Sequence, residues 1–417
     1  MSLSKALLPT LFFCVLMLTI FSYGIASSAE LRFTSNTYLQ LREDARDNKY
    51  APLYEYFNLE LNNLKDGQVS FYSSGWIRYD LSSRSGDERE NDELTYIFLT
   101  YSPLKDRSLK FSAGRHFVFG GVASEQIDGI STRWEITPFT GFSLFGGIPV
   151  ETESDGRGSD LIYGGRVFQR IERKAEFGVS YIREVNDGSS YREEMGLDVW
   201  GRPLRWFEIQ GQSFYNNITE GWLDHSYNLR IFPLQQLTLS TLFSHTDYTD
   251  AFSATTLSAF SPDYLGLNEE LTKIGGAAEY RLNNSFTGIV DYTKYEYKNT
   301  GNADYYGAKL TGKLHEVSIG ASIHRMEGDT EKLKYTETRL YAMKRFSMLN
   351  LSVDAISLHY DTPYNGLSTA YSVNGTVGYK FSNSLMATVS CDYSKSPDFT
   401  HDTKVLLKLT YNLKRKV

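Results

Sequence analysis

From Leu31 to Leu413 the chain alternates apolar and polar residues with a period of two, broken by short turns and longer polar stretches. Val405, Leu407, Leu409, Tyr411 and Leu413 share one side of such a run, with Lys404, Lys408, Thr410 and Asn412 mostly on the other. Val317, Ile319, Ala321 and Ile323 alternate in the same way with Ser318, Gly320, Ser322 and His324. This period belongs to a β-strand whose two faces meet different surroundings, and a slip of one residue would exchange them. The turns recur roughly every 30–38 residues, as expected of an array of one supersecondary unit. Pro103-Leu104, Pro138-Phe139, Pro203-Leu204 and Pro233-Leu234 mark several of them. Proline cannot donate to a sheet ladder, so it belongs at strand ends, edges and turns.

The first residues set the compartment. Lys5 precedes an apolar stretch from Ala6 to Ile25, and Ser27-Ser28-Ala29 follows as a small-residue exit. This is the pattern of a signal peptide over residues 1–29, removed after Ala29, with a single β-barrel domain over 30–417. A stretch of about 20 apolar residues could also span a bilayer; the small-residue exit favours removal. The remainder holds one cysteine, Cys391, so it can form no intramolecular disulfide. It has no second long apolar run, and hence no expected transmembrane helix. A net charge of −7 argues against a nucleic-acid partner. The aromatic content is 14%, led by 30 Tyr and 25 Phe, and suits a sheet with lipid on one side and water on the other.

The period predicts strands near 31–42, 53–64, 68–81, 93–102, 107–119, 127–137 and 139–147. It continues near 160–171, 174–185, 191–201, 204–216, 221–232, 236–247 and 270–282. The last group lies near 285–297, 303–313, 316–326, 334–345, 348–360, 368–380, 383–394 and 402–413. The fold class is therefore all-β: an antiparallel up-and-down transmembrane β-barrel of about 22 strands (18–22 if weak ones merge), with no plug domain. The connections alternate between short turns such as Lys65-Asp66-Gly67 and polar stretches such as 82–92, 151–159, 247–269 and 361–366. Outer-membrane barrels have short periplasmic turns and longer external loops, which would put both termini in the periplasm. At roughly 18 residues per strand and connection, against about 9–11 for the span itself, little chain remains for an internal domain. Residues 247–269 form the candidate constriction loop.

In this architecture the chain resembles the outer-membrane porin superfamily of Gram-negative bacteria over its mature length. Leu409, Tyr411 and Leu413 look like that family's C-terminal assembly signal, which implies recognition by the barrel-assembly machinery. The chain departs from the signal in that Lys414-Arg415-Lys416-Val417 follow. A narrower segment, Gly114-Arg115-His116-Phe117 through Gly120-Gly121-Val122-Ala123-Ser124-Glu125-Gln126-Ile127-Asp128-Gly129, resembles barrels that accompany multihaem cytochromes in metal-reducing bacteria. That resemblance implies a lumen occupied by a cytochrome and a role in extracellular electron transfer.

No motif for catalysis stands out. The histidines, at 116, 225, 245, 315, 324, 359 and 401, form no His-Glu-x-x-His pair, and there is no Gly-x-Ser-x-Gly elbow. Asp224-His225 and His245-Thr246-Asp247 bring carboxylates near imidazoles without a converging constellation. There is no Cys-x-x-Cys-His for c-type haem and no calcium-loop spacing, so no enzyme, metal or cofactor site is expected. The acidic runs Asp87–Glu93 and Glu151–Asp155 read as solvated loops. Alternation turns Arg133, Arg166, Arg170, Arg230, Lys309, Lys313, Lys404 and Lys408 inward as pore-lining candidates, alongside Glu135, Glu279 and Asp291. Arg166 and Arg170 could form a basic strip that steers anions. Arg115 is out of place: strict alternation sets it among Leu109, Phe111, Phe117 and Phe119, and a bulge near Gly114 or a headgroup position would resolve it. Two functions follow from the wide wall: a porin-like channel for solutes, or a sheath around a multihaem cytochrome.

Overall fold

A computed structural model describes residues 29–416 apart from 44–48, 83–89, 151–159, 173, 187, 249–268 and 398. Outside the described residues lie the expected signal peptide but for Ala29, most of the expected constriction loop, the run 151–155 and residues 87–89 of the other acidic run; residues 90–93 of that run are strand rather than loop and open β5 (Glu90–Tyr101).

The strands begin with β1 (Glu30–Glu43), the two-residue β2 (Lys49–Tyr50), β3 (Pro52–Leu64), β4 (Val69–Asp80), β5 (Glu90–Tyr101) and β6 (Leu109–Gly120). There follow β7 (Ala123–Glu135), β8 (Thr140–Pro149), β9 (Leu161–Ile171), β10 (Ala175–Asn186), β11 (Ser189–Leu204) and β12 (Phe207–Asn216). Next come β13 (Gly221–Leu234), β14 (Leu237–Asp247), β15 (Glu270–Arg281), β16 (Phe286–Tyr297), β17 (Gly301–Leu314) and β18 (Val317–Gly328). The last are β19 (Tyr335–Arg345), β20 (Leu349–Tyr364), β21 (Leu367–Lys380), β22 (Leu385–Ser396) and β23 (Phe399–Lys416). β2 only extends the β1 hairpin, pairing Lys49 with Glu43; the wall is the other 22. Strands expected over 139–147 and 191–201, the weakest in pattern, both form, as β8 and β11.

Each strand pairs antiparallel with its chain neighbours, and the sheet closes where β1 meets β23, from Glu30 opposite Lys416 to Arg42 opposite Lys404. The basic tail after the assembly-like signal is therefore part of the ladder. Lys414 Nζ and Arg32 Nε both reach the Glu30 carboxylate, at 3.1 and 2.5 Å. With strands about 4.8 Å apart and tilted about 40°, 22 of them enclose a cylinder of roughly 20 Å radius. Among the described residues no separate plug domain fills it.

Closure gives the two faces their identities. Val167, Val179, Leu197, Ile274, Val290, Ile323 and Leu340 point outward and are at least half exposed. Trp134, Phe139, Trp206, Phe346 and Phe381 ring the short-turn end, and Trp222, Tyr292, Tyr306 and Tyr393 the other. Aromatic girdles flanking an apolar band are what a bilayer selects. One connection is tighter than its polar composition suggests: 361–366 is no loop. β20 and β21 run on to Tyr364 and Leu367 and are joined by Asn365-Gly366, both at positive φ (49° and 78°). Asn-Gly fits this two-residue turn, whose twist matches its strands.

Arg115 resolves by pairing. It lies on the lipid-facing side directly opposite Asp128 of β7, with Nε to Oδ1 and Nη2 to Oδ2 both at 2.7 Å. Its Nη1 donates to the Leu94 carbonyl at 3.2 Å. Gly114 beside it takes φ +119°, and a Cβ there would collide with the Ile97 carbonyl. The register runs unbroken through Gly114, so there is no bulge; the bidentate partner alone compensates a guanidinium where an unpaired charge would cost about 2–4 kcal/mol. Glu55, on the same side, accepts from Ser35 Oγ (2.5 Å) and Thr37 Oγ1 (2.6 Å). Asp128→Leu should therefore lower folding stability in lipid vesicles by about 2–4 kcal/mol. The Arg115→Leu, Asp128→Leu double variant should recover most of that loss in urea titrations. Equal losses in both would show that the pair does not set the cost.

Candidate functional site

The inner face differs along its circumference. Across β1 to β5 it is aromatic. Tyr38 and Tyr56 meet edge to face at 5.4 Å between ring centroids, Tyr54 stacks on Tyr56 at 5.9 Å, and Trp76 lies 6.4 Å from Tyr56. Towards the short-turn end Tyr72 stacks on Phe98 at 4.9 Å, and Tyr96 and His116 flank Phe98 at 5.7 and 5.6 Å. Amide oxygens anchor two of the phenols: Tyr96 donates to Asn58 Oδ1 and Tyr72 to Asn62 Oδ1. A second tyrosine group, Tyr295, Tyr297, Tyr335 and Tyr360, lines β16 to β20.

Across β7 to β11 the inner face is ionic. Arg166 holds Glu176 at 2.8 Å and grips Asp198 through Nε (2.9 Å) and Nη2. Arg170 joins Glu176 (2.8 Å) to Glu135 (3.1 Å). Arg133, Arg166 and Arg170 all pack their guanidinium groups within 5.4 Å of the Phe168 ring centre. Arg166 and Arg170 are thus committed to three carboxylates, and the strip they form carries no spare positive charge.

The tip of the β6–β7 hairpin turns into the lumen over this ionic wall. β5 and β6 pair only from Tyr101–Phe111 to Ile97–Arg115. Beyond that point the tip leaves the wall, and its Val122 N–H donates to Ser180 Oγ of β10 at 2.9 Å. Arg192 of β11 clamps it: the guanidinium pairs with Glu125 of the tip and Glu194 of the wall, and Nη2 reaches the Val122 carbonyl at 3.5 Å. Val118, Val122, Ala123 and Ile127 pack on Ile162 and Ile182, the latter two fully buried, with Phe145 and Phe214 at the margin. An apolar cluster inside a wet lumen is what keeps the tip folded in. Gly121 makes the approach possible: it sits at φ +59°, and a Cβ there would overlap the Ser180 side chain. Phe117 and Phe119, on the alternate face, stack at 5.9 Å and stay open to the lumen, Phe119 at 72% exposure.

All eight candidate pore-lining cations fall on the inner face, in different surroundings. Arg230 shares a cavity of about 760 Å³ with Arg133, Arg166, Glu176 and Asp198, and Phe119 and Gly120 of the tip form one side of it. Lys309 lies over the Tyr341 ring at 5.9 Å and Lys408 over Tyr38 at 4.9 Å. Lys404 pairs with Asp402 at 2.5 Å, and Lys313 stands opposite Ser318. Asp291 Oδ1 accepts from His324 Nε2 at 3.1 Å. His225 and His245 face outward, bonded to Ser213 and Thr272, beside Trp222. Among the described residues no group of three or more His, Cys, Asp or Glu is placed to hold a metal. Sequence reasoning missed the re-entrant tip. Its signal was Gly120-Gly121 set between Val118 and Val122, apolar residues on the face that alternation assigns to water.

No protein-family profile matches the chain, and no curated protein matches it. Solved structures do. A point mutant of the ferric enterobactin receptor PfeA of Pseudomonas aeruginosa superposes with a TM-score of 0.62 at 12% identity, covering 93% of this chain and 81% of the receptor. The siderophore receptor PirA of Acinetobacter baumannii gives 0.60 at 9% identity, covering 94% and 81%. OpdO of Pseudomonas aeruginosa gives 0.48 at 12% identity, covering 94% and 99%. The likeness is one of fold: this chain has the closed antiparallel architecture of outer-membrane β-barrels.

Arg192→Ala should release the tip, because Glu125 and Glu194 lose their shared cation and charge-assisted bonds of about 1.5–3 kcal/mol each go with it. A spin label at Phe119→Cys should then report markedly greater mobility. A spectrum unchanged from the parent would mean that the apolar cluster alone holds the tip.

Proposed function

We propose that this chain is a porin-like channel of the Gram-negative outer membrane, passing solutes through a lumen narrowed by the β6–β7 tip. One observation carries the reading: a closed 22-strand wall, apolar outside and polar or aromatic inside, has an element of its own folded into the opening. A wall of 16–18 strands already leaves an aqueous channel, and this one is wider. The short turns and both chain ends share one rim, with Glu30 paired to Lys416 and to Asn62 beside the Lys65 turn. In this reading that rim is periplasmic and the terminal strand is presented to the assembly machinery. The channel performs no catalysis.

A second reading is favoured by the stacked tyrosines and Trp76 on the inner face. Tyr, Trp and Arg are the residue types enriched where proteins meet. A partner protein in the lumen would use that surface; were it a multihaem cytochrome, the barrel would be its sheath for extracellular electron transfer.

One preparation separates the two. The barrel purified from its native membrane in mild detergent should be free of haem stain and give steady single-channel conductance in planar bilayers. A stoichiometric haem protein with little conductance would replace the channel with the sheath.

A further inference from the structure

The cleft between the re-entrant tip and the wall that it covers differs in composition from the rest of the ionic arc. Its volume is about 280 Å³, room for one aromatic ring and a substituent. Phe98, Phe117, Phe119 and Phe145 are among the residues that line it, Phe117 and Phe119 at its lumen side, and the only charged residues among the lining are Lys110 and Arg133. These two stand directly opposite each other on β6 and β7. Arg133 has a single carboxylate contact, to Glu135 at 3.3 Å, and that carboxylate is held from its other side by both amino groups of Arg170. Lys110 forms no ion pair among the described residues. His116 at the back of the cleft is occupied, its ring nitrogens on Ser131 Oγ (2.7 Å) and the Gly114 carbonyl (2.9 Å), so it serves as a wall.

Arg133, Arg166 and Arg170 together balance Glu135, Glu176 and Asp198, which leaves Lys110 as the cation of this cleft that has no carboxylate among the described residues. A ligand that supplies the missing anion and covers the phenylalanines satisfies both deficits at once. We infer that this cleft is a binding site for small planar aromatic anions, with Lys110 and Arg133 receiving the charged group and Phe117 and Phe119 contacting the ring. The site rests on the channel reading, since the ligand reaches it from the lumen. The tip is then a specificity element as well as an obstruction: ring-bearing anions would be held beside it, and simple anions would pass.

The test is calorimetric titration of benzoate into the purified full-length barrel in detergent, with benzyl alcohol and acetate as the neutral and ringless controls. Benzoate should bind, and both controls should bind at least about tenfold more weakly, the scale of one charge-assisted contact. Lys110→Met and Arg133→Met should each weaken benzoate about tenfold, and Phe119→Ala several-fold. Heat-modified electrophoretic mobility checks that each variant is folded. Should a charge variant fail to fold, Phe119→Ala, altered at an exposed side chain, still reads the ring contact. Absence of benzoate binding, equal binding of acetate, or affinity unchanged in every folded variant would overturn the site. Because titration needs no permeation, a barrel that binds benzoate but does not conduct would refute the channel and leave the site standing.

Discussion

The whole structure depends on the rule that a backbone in hydrocarbon must satisfy its own hydrogen bonds. A sheet meets that rule only by closing, which here means pairing the first strand with the last over Glu30–Arg42 and Lys404–Lys416. Everything else follows from closure. The outer face has to be apolar, the inner face inherits the polar alternates, and the connections are left outside the membrane. The charged tail after Leu413 is consistent with this demand, because Lys414 and Arg415 continue the ladder and Glu30 neutralises the first of them.

The same rule explains the gap in the ladder between β5 and β6. When the β6–β7 tip bends inward, β5 loses its partner beyond Ile97. The carbonyls next in line, Leu94 and Thr95, are taken up by side chains instead: Arg115 Nη1 for the first and Gln126 Nε2 for the second. A guanidinium at the lipid face is thus the consequence of a re-entrant hairpin, and Asp128 makes it tolerable. Arg115, Gln126 and Asp128 belong to one device, in which polar side chains substitute for a missing stretch of ladder. The roughly 2–4 kcal/mol at stake in that pair is therefore a cost of building something inside the lumen.

Most of the wall was readable from the period of two, because lipid and water enforce strict alternation and the proline-marked turns fix the register. What could not be read were contacts between residues far apart in sequence. Arg166 and Arg170 look like a free basic strip along β9, yet their partners come from β7, β10 and β11 and appear only when the strands are side by side. The tip was hidden for a related reason. Val118 and Val122 violate alternation, but a single violated position reads equally as a bulge or an interface residue. Only Ile162 and Ile182, some 40 and 60 positions on, give them something to pack against. Asn365-Gly366 was a local signal and went the other way: the two residues specify a tight turn, and the polar letters around them suggested a loop.

In the proposed channel, the distribution of charge on the inner face would decide what the lumen can select. A wide barrel with evenly distributed charge would sieve by size alone. This one carries two tyrosine-rich stretches and an arc of internally balanced ion pairs on its inner face, and places a folded tip over the ion pairs. Balanced pairs contribute little long-range field, since each cation's potential is cancelled within a few ångströms by its carboxylate. Selection then falls to the few groups left out of the balance and to the rings beside them. In the channel proposed above, chemistry would outweigh diameter only where a solute is forced close to the wall, and the tip is the element that would force it there.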